Sequence, residues 1–143
     1  MLVTLTAASG SVRLVGSGYG AKRMAVHIEL VERVTVVTIA RPEVRNAVDA
    51  QTANALADAF LAFDKNDNSD VAILYGAEGG FCAGADLKER KTMADQEVRD
   101  FLTKMRRTFT MFQEMECPTI SVVDGPALGG GCELSLCSDL RVS

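Results

Sequence analysis

From Val26 to Glu32 apolar and polar residues alternate, with Val26, Ile28 and Leu30 on one face. Val34 to Ile39 is rich in β-branched side chains, and only Glu32-Arg33 separates the two runs. A period of two on either side of a two-residue break predicts an antiparallel hairpin. His27 falls on the face opposite the apolar set, where a solvent-facing strand residue is expected. The period then changes. Ala53, Leu56, Phe60 and Phe63 recur at helical spacing after Asp49, which predicts an amphipathic helix capped by that aspartate. Val71 to Tyr75 is a short continuous apolar run and predicts a fully buried strand. A longer stripe of Val98, Phe101, Leu102, Met105, Phe109, Phe112 and Met115 predicts a long helix starting near Asp95. Pro118 ends it, and the stretch from Ile120 reads as another buried strand. Ser138 to Ser143 reads as the start of a further one. Strands alternating with helices indicate an α/β domain.

The breaks between these elements carry the candidate chemistry. After the strand at Ile120 come Asp124-Gly-Pro-Ala-Leu-Gly-Gly-Gly-Cys-Glu133. A strand feeding a glycine-rich turn and a helix start presents free backbone N–H groups at one point. Such groups bind an anion, or a carbonyl oxygen that becomes negative during reaction. Glu133 follows within the first helical turn, where a carboxylate suits the helix dipole. The functional reading is an oxyanion donor beside a general acid or base. The bland reading, a tight turn for close helix–strand packing, is equally compatible with the spacing of the glycines. A second small-residue stretch, Gly79-Gly-Phe-Cys-Ala-Gly-Ala-Asp-Leu-Lys88, follows the strand at Val71. Two such loops, each after a buried strand, can each offer one N–H to the same oxygen. Cys82 invites a nucleophile reading, but the chain holds a single histidine and nothing in the motif activates the thiol, so packing is expected. Lys88 to Thr92 is charged and reads as a mobile connector.

Composition narrows the partners. The chain has 143 residues, 48% hydrophobic and 24% charged, enough for one domain with a core. A formal charge of −4 argues against nucleic acid. The four cysteines form no CxxC pair, which with one histidine argues against a zinc site. No apolar run is long enough to span a bilayer, so no membrane partner is expected. Residues 1–23 contain no Asp or Glu and carry Arg13, Lys22 and Arg23. They divide from the domain at 24–143 as an extension with three readings: a presequence, a disordered tail, or sequence preceding an alternative start at Met24. Gly10, Gly16, Gly18 and Gly20 work against the amphipathic helix of a presequence.

The pattern Arg41-Pro42…Asn46-Ala47, then Phe81-Cys-Ala-Gly-Ala-Asp-Leu-Lys88, then Gly125-Pro-Ala-Leu-Gly-Gly-Gly-Cys-Glu-Leu134 and Cys137-Ser-Asp139 resembles the crotonase (enoyl-CoA hydratase/isomerase) superfamily. The resemblance runs from about Val26 to the C-terminus. It implies a crotonase-like spiral of ββα units, incomplete at the C-terminus. The implied substrate is an acyl-CoA thioester, with coenzyme A as part of the substrate and no separate cofactor or metal. The implied catalytic groups are the backbone N–H of Ala85 and of Gly130, gripping the thioester oxygen, and Glu133, handling water or a proton. Arg45, Ala83, Ala85, Asp86, Leu87, Lys88 and Gly130 are the implied substrate and coenzyme A contacts. Arg45 takes the place of a lysine that some relatives carry where this chain has Glu43. By the same analogy, Gly130→Val would fill the space the thioester needs, and part of the Met and Phe stripe would shape an acyl pocket.

The implied reaction is addition of water to a 2-enoyl-CoA through an enolate. Hydratases of the family use a second glutamate that this chain does not contain, which leaves isomerisation or another family reaction open. A non-catalytic fragment that binds coenzyme A or a subunit is the alternative from a different class. Full-length members are nearly twice as long and form homotrimers or hexamers. The chain is therefore expected to be a truncated product, a partial gene model or a split protein, one that folds poorly alone or binds coenzyme A weakly. The expected location is the cytoplasm, or the mitochondrial matrix if residues 1–23 are a presequence.

Overall fold

A computed structural model describes residues 24–65 and 67–143, so the readings of residues 1–23 lie outside the described residues. Strands β1 (Val26–Val31) and β2 (Val34–Ile39) form the expected antiparallel hairpin, with Val31 opposite Val34. Helix α1 (Ala50–Asp64) crosses to β3 (Val71–Gly76), which pairs parallel with β2. A helical turn, α2 (Leu87–Arg90), and the long α3 (Asp95–Gln113) lead to β4 (Thr119–Val122), parallel to β3. Short α4 (Gly130–Leu136) returns the chain to β5 (Leu140–Val142), parallel to β4. The strand order is β1-β2-β3-β4-β5.

The helices pack where their stripes predict. The Asp49 side chain accepts from Thr52 N at 2.7 Å and caps α1. Ala53, Leu56, Phe60 and Phe63 are all buried, as are Phe101, Met105, Phe109 and Phe112 of α3. Phe60 and Phe112 stack with ring centroids 4.7 Å apart, joining α1 to α3. Such a pair adds roughly 0.5–1.5 kcal/mol beyond its area. Val37, Ile39 and Leu74 meet these side chains from the sheet.

Four expectations are corrected. The strand at Val71 is buried on one face only: Ala72, Leu74 and Gly76 are buried, while Val71, Ile73 and Tyr75 are partly exposed. In β4 the polarity is reversed, since Thr119 and Ser121 are buried and Ile120 and Val122 are partly exposed. Parallel register is the reason, as it aligns Ile120 with Ile73 and Ser121 with Leu74, and α1 and α3 pack against the Leu74 side. In β1 only Val26 of the apolar set is buried, while Ile28 and Leu30 are 52% and 46% exposed at the sheet edge. The fourth correction concerns Lys88 to Thr92. Its first residues are an ordered turn, because the Asp86 carboxylate accepts from Lys88 N at 3.0 Å and from Glu89 N at 3.5 Å. Glu89 in turn accepts from Ala50 N at 3.0 Å, so the segment helps cap α1.

Because β2, β3 and β4 are parallel, the loops that follow them leave from one edge of the sheet. In open α/β sheets that edge is where ligands bind. The polypeptide from 40 to 49, from 77 to 86 and from 123 to 129 therefore meets there.

Candidate active site

The middle loop is held on both sides. Val48 N donates to Gly84 O at 2.7 Å, and Asp86 N donates to Val48 O at 2.8 Å. This is a parallel bridge centred on Ala85. In such a bridge the central residue's own N–H and C=O point away from the partner strand. Cys82 N donates to Pro126 O at 3.1 Å, Ala83 N to Arg45 O at 3.0 Å, and Gly84 N to the Cys82 sulfur at 3.4 Å. Ala85 is thus the residue of Cys82–Asp86 whose amide finds no acceptor among the described residues.

The third loop lies against the second. Leu128 N donates to Cys82 O at 2.9 Å, which closes a second parallel bridge, Cys82 with Ala127. Contact is closest at two glycines. A Cβ on Gly84 would sit 2.7 Å from Leu128 O and 3.1 Å from Gly130 N, and its φ of +88° also favours glycine. A Cβ on Gly131 would sit 2.1 Å from Cys82 O. Gly130 opens α4, so its N–H belongs to the first helical turn, where no carbonyl of the helix can accept. A Cβ there would meet Met105 Cε at 3.1 Å and Phe109 Cζ at 3.7 Å. The first atom that Gly130→Val would meet is therefore the tip of an α3 side chain.

A cleft of about 310 Å³ lies beside Ala85. Arg45, Ala83, Ala85, Asp86, Leu87 and Lys88 line it, together with Glu43, Val44 and Ala47. Six of the residues singled out from the sequence are thus brought to one wall, while Gly130 and Glu133 stand outside that lining. Arg45 and Lys88 are exposed. Glu133 is exposed on α4, and its carboxylate makes no hydrogen bond with the described residues. Cys82 is fully buried, and burial pushes its thiol above the usual range against the Gly84 hydrogen bond. It stays protonated and packs, and no group of three or more His, Cys, Asp or Glu among the described residues could hold a metal.

The residues whose roles were not assigned from sequence are those behind the loops. Asn46 is 1% exposed with a φ of +57°, and its Nδ2 donates to Ala77 O at 2.8 Å and to Gly80 O at 2.7 Å. Its Oδ1 accepts from Arg41 N at 2.9 Å. The Arg41 guanidinium meets Asp49 at 2.9 Å and Asp86 at 3.1 Å. Burial pushes the Asp86 carboxyl up, but the Lys88 and Glu89 amides and Arg41 outweigh it and hold it below the ordinary carboxylate value. The only signal available was the presence of Arg41 and Asn46 in the motif.

The family model for enoyl-CoA hydratase/isomerase matches residues 29–143. The chain is 39% identical over 111 residues to enoyl-CoA hydratase domain-containing protein 2, mitochondrial, of Mus musculus, covering 77% of this chain and 38% of that protein. It is 34% identical over 117 residues to crotonyl-CoA hydratase of Syntrophomonas wolfei, covering 81% of this chain and 45% of that one. The crystal structure of enoyl-CoA hydratase from Bacillus anthracis superposes with a TM-score of 0.79 at 34% identity, over 82% of this chain and 46% of that chain. The chain thus spans less than half the length of these relatives.

Proposed function

Because the chain belongs to the enoyl-CoA hydratase/isomerase family, we propose that it binds an acyl-CoA thioester with the Ala85 and Gly130 amides on the thioester oxygen. Negative charge grows on that oxygen when a proton leaves the α-carbon or water adds at the β-carbon. Backbone donors fixed in advance stabilise it without reorganising, and loss of one such donor typically costs ~100–1,000-fold in rate. Glu133 passes the proton to or from water. Arg45 and Lys88, at the cleft wall, attract the phosphates of coenzyme A. Met105 and Phe109, which approach Gly130 from α3, border the acyl end.

The observation that carries this reading is the Ala85 amide. Val48 engages the peptide groups on either side of it and turns it away from the strand. Gly84, next to it, packs on the start of α4. Hydration of a 2-enoyl-CoA is the reaction proposed. One observation favours a second reading, isomerisation by a proton shuttle: Glu133 is the one carboxylate of α4. The proposed location is the cytoplasm, or the mitochondrial matrix if the acid-free residues 1–23 are a presequence, a reading that the mouse relative's name supports.

Incubation of the chain with 2-enoyl- and 3-enoyl-CoA isomers tests the reading. A 3-hydroxyacyl-CoA product supports hydration and overturns the expectation that the chain alone folds poorly or binds coenzyme A weakly. Interconversion of the double bonds without it would favour the shuttle. No conversion, with light scattering that detects association with a full-length relative, would leave the non-catalytic fragment.

A further inference from the structure

We propose that Arg41 is a positioning residue that sets the direction of the Ala85 amide. The inference rests on the acyl-CoA reading above and names the side chain that tunes the same site. Arg41 does not line the cleft beside Ala85. Its side chain is 17% exposed, and the guanidinium joins three groups that the fold must hold in register. Nη1 donates to Ala47 O at 2.6 Å, the carbonyl just before Val48. Nη2 meets Asp49 Oδ2 at 2.9 Å, on the residue that caps α1. The same nitrogen meets Asp86 Oδ2 at 3.1 Å, on the residue that caps α2.

Val48 and Asp86 are also the residues that orient Ala85. The bonds from Val48 N to Gly84 O and from Asp86 N to Val48 O leave the Ala85 N–H facing outward. Arg41 grips the peptide leading into Val48 on one side and the residue following Ala85 on the other. It thereby fixes the bridge at both ends. Without the cation, Asp49 and Asp86 are two carboxylates drawn to an empty point, and their repulsion pulls the two segments apart. Lysine cannot replace the arginine, since an ammonium lacks the planar fork that reaches several acceptors at once. A shift of about 1 Å in a group aimed at a reacting atom costs roughly 100-fold, so this tether matters to the site beyond its contribution to stability.

The test compares two ligands of the wild-type chain and of Arg41→Gln. Butyryl-CoA presents the thioester carbonyl; S-butyl-CoA, the thioether, lacks it and otherwise matches. The readout is the ratio of their dissociation constants by calorimetry. The wild type should favour the thioester by about tenfold or more, the worth of two hydrogen bonds to one oxygen. Arg41→Gln should bring the ratio close to one, with the thioether affinity changed by less than about threefold. Arg41→Lys is measured beside it, and the ratio is read on Lys if Gln fails to fold. A folded variant that keeps the wild-type ratio, even with both ligands weakened, overturns the proposal and makes Arg41 a purely structural residue. A wild type that shows no preference for the thioester overturns the acyl-CoA reading itself.

Discussion

The two loops that meet at Gly84 and Gly130 are held in opposite ways. The loop from Cys82 to Asp86 is tied by side chains behind it: Arg41 on Asp86, and Asn46 on the approach at Ala77 and Gly80. Among the described residues, the loop from Asp124 to Gly129 has no side-chain tether of that kind and is held through backbone bonds to Cys82 and by close contact. Charge and amide chemistry can be altered gradually by substitution, so the first loop is tunable. Contact between backbones is all or none, so the second breaks only when volume is added. One amide of the proposed pair is therefore placed by side-chain chemistry and the other by the absence of side chains.

The sharpest way to break this contrast is Gly131→Ala. Its Cβ would lie 2.1 Å from Cys82 O, and neither backbone can yield without parting the loops. We expect a loss above about 3 kcal/mol, measured by urea unfolding. Gly130→Ala, one residue earlier, comes closer than ordinary contact only to the flexible Met105 tip, at 3.1 Å, and should cost under about 1 kcal/mol. Equal losses at the two positions would refute the account of the second loop. Next in size is Asn46→Ala, which removes the partner of two buried carbonyls. A loss of about 2–3 kcal/mol is expected, with faster amide exchange between Ala77 and Asp86; a loss below about 0.5 kcal/mol would remove Asn46 from the tether.

The smallest effect is in pH. The Asp86 carboxyl is held below its ordinary value in the folded chain, so it binds a proton more readily when unfolded. Its contribution is complete above the ordinary carboxylate range and is lost as pH falls through the lowered value. Asp139 is lowered too, first by the Thr119 amide and then by its hydroxyl. Asp86→Asn should therefore flatten the acid limb of the melting profile in part and leave the rest to Asp139 and to Asp70, which its hydrogen bond with Arg33 also lowers. An unchanged acid limb would contradict the tether at Asp86.

The amphipathic stripes of α1 and α3, the cap at Asp49 and the hairpin at Glu32-Arg33 were all legible in the residue pattern. Each depends on neighbours a few residues away, which a linear pattern records. The burial of β3 and β4 was not legible. Ile73 and Ile120 look like core residues, yet they share the face that the described helices leave partly open, while Thr119 and Ser121 lie under cover. The sequence also singled out Arg45, Ala83, Ala85, Asp86, Leu87 and Lys88, which the fold gathers at one cleft. It gave no role to Arg41 behind them, because that role depends on Asp49 and Asp86, the latter 45 residues away.

By itself, then, the sequence determined the periods, the turns and the membership of the two small-residue loops in a known family. The tertiary structure alone decided which sheet face is covered, why the Ala85 amide that the resemblance singled out is left without an acceptor, and which segments surround it. Periodicity and turn chemistry are local, whereas covering a face or satisfying an amide requires segments that only folding brings together.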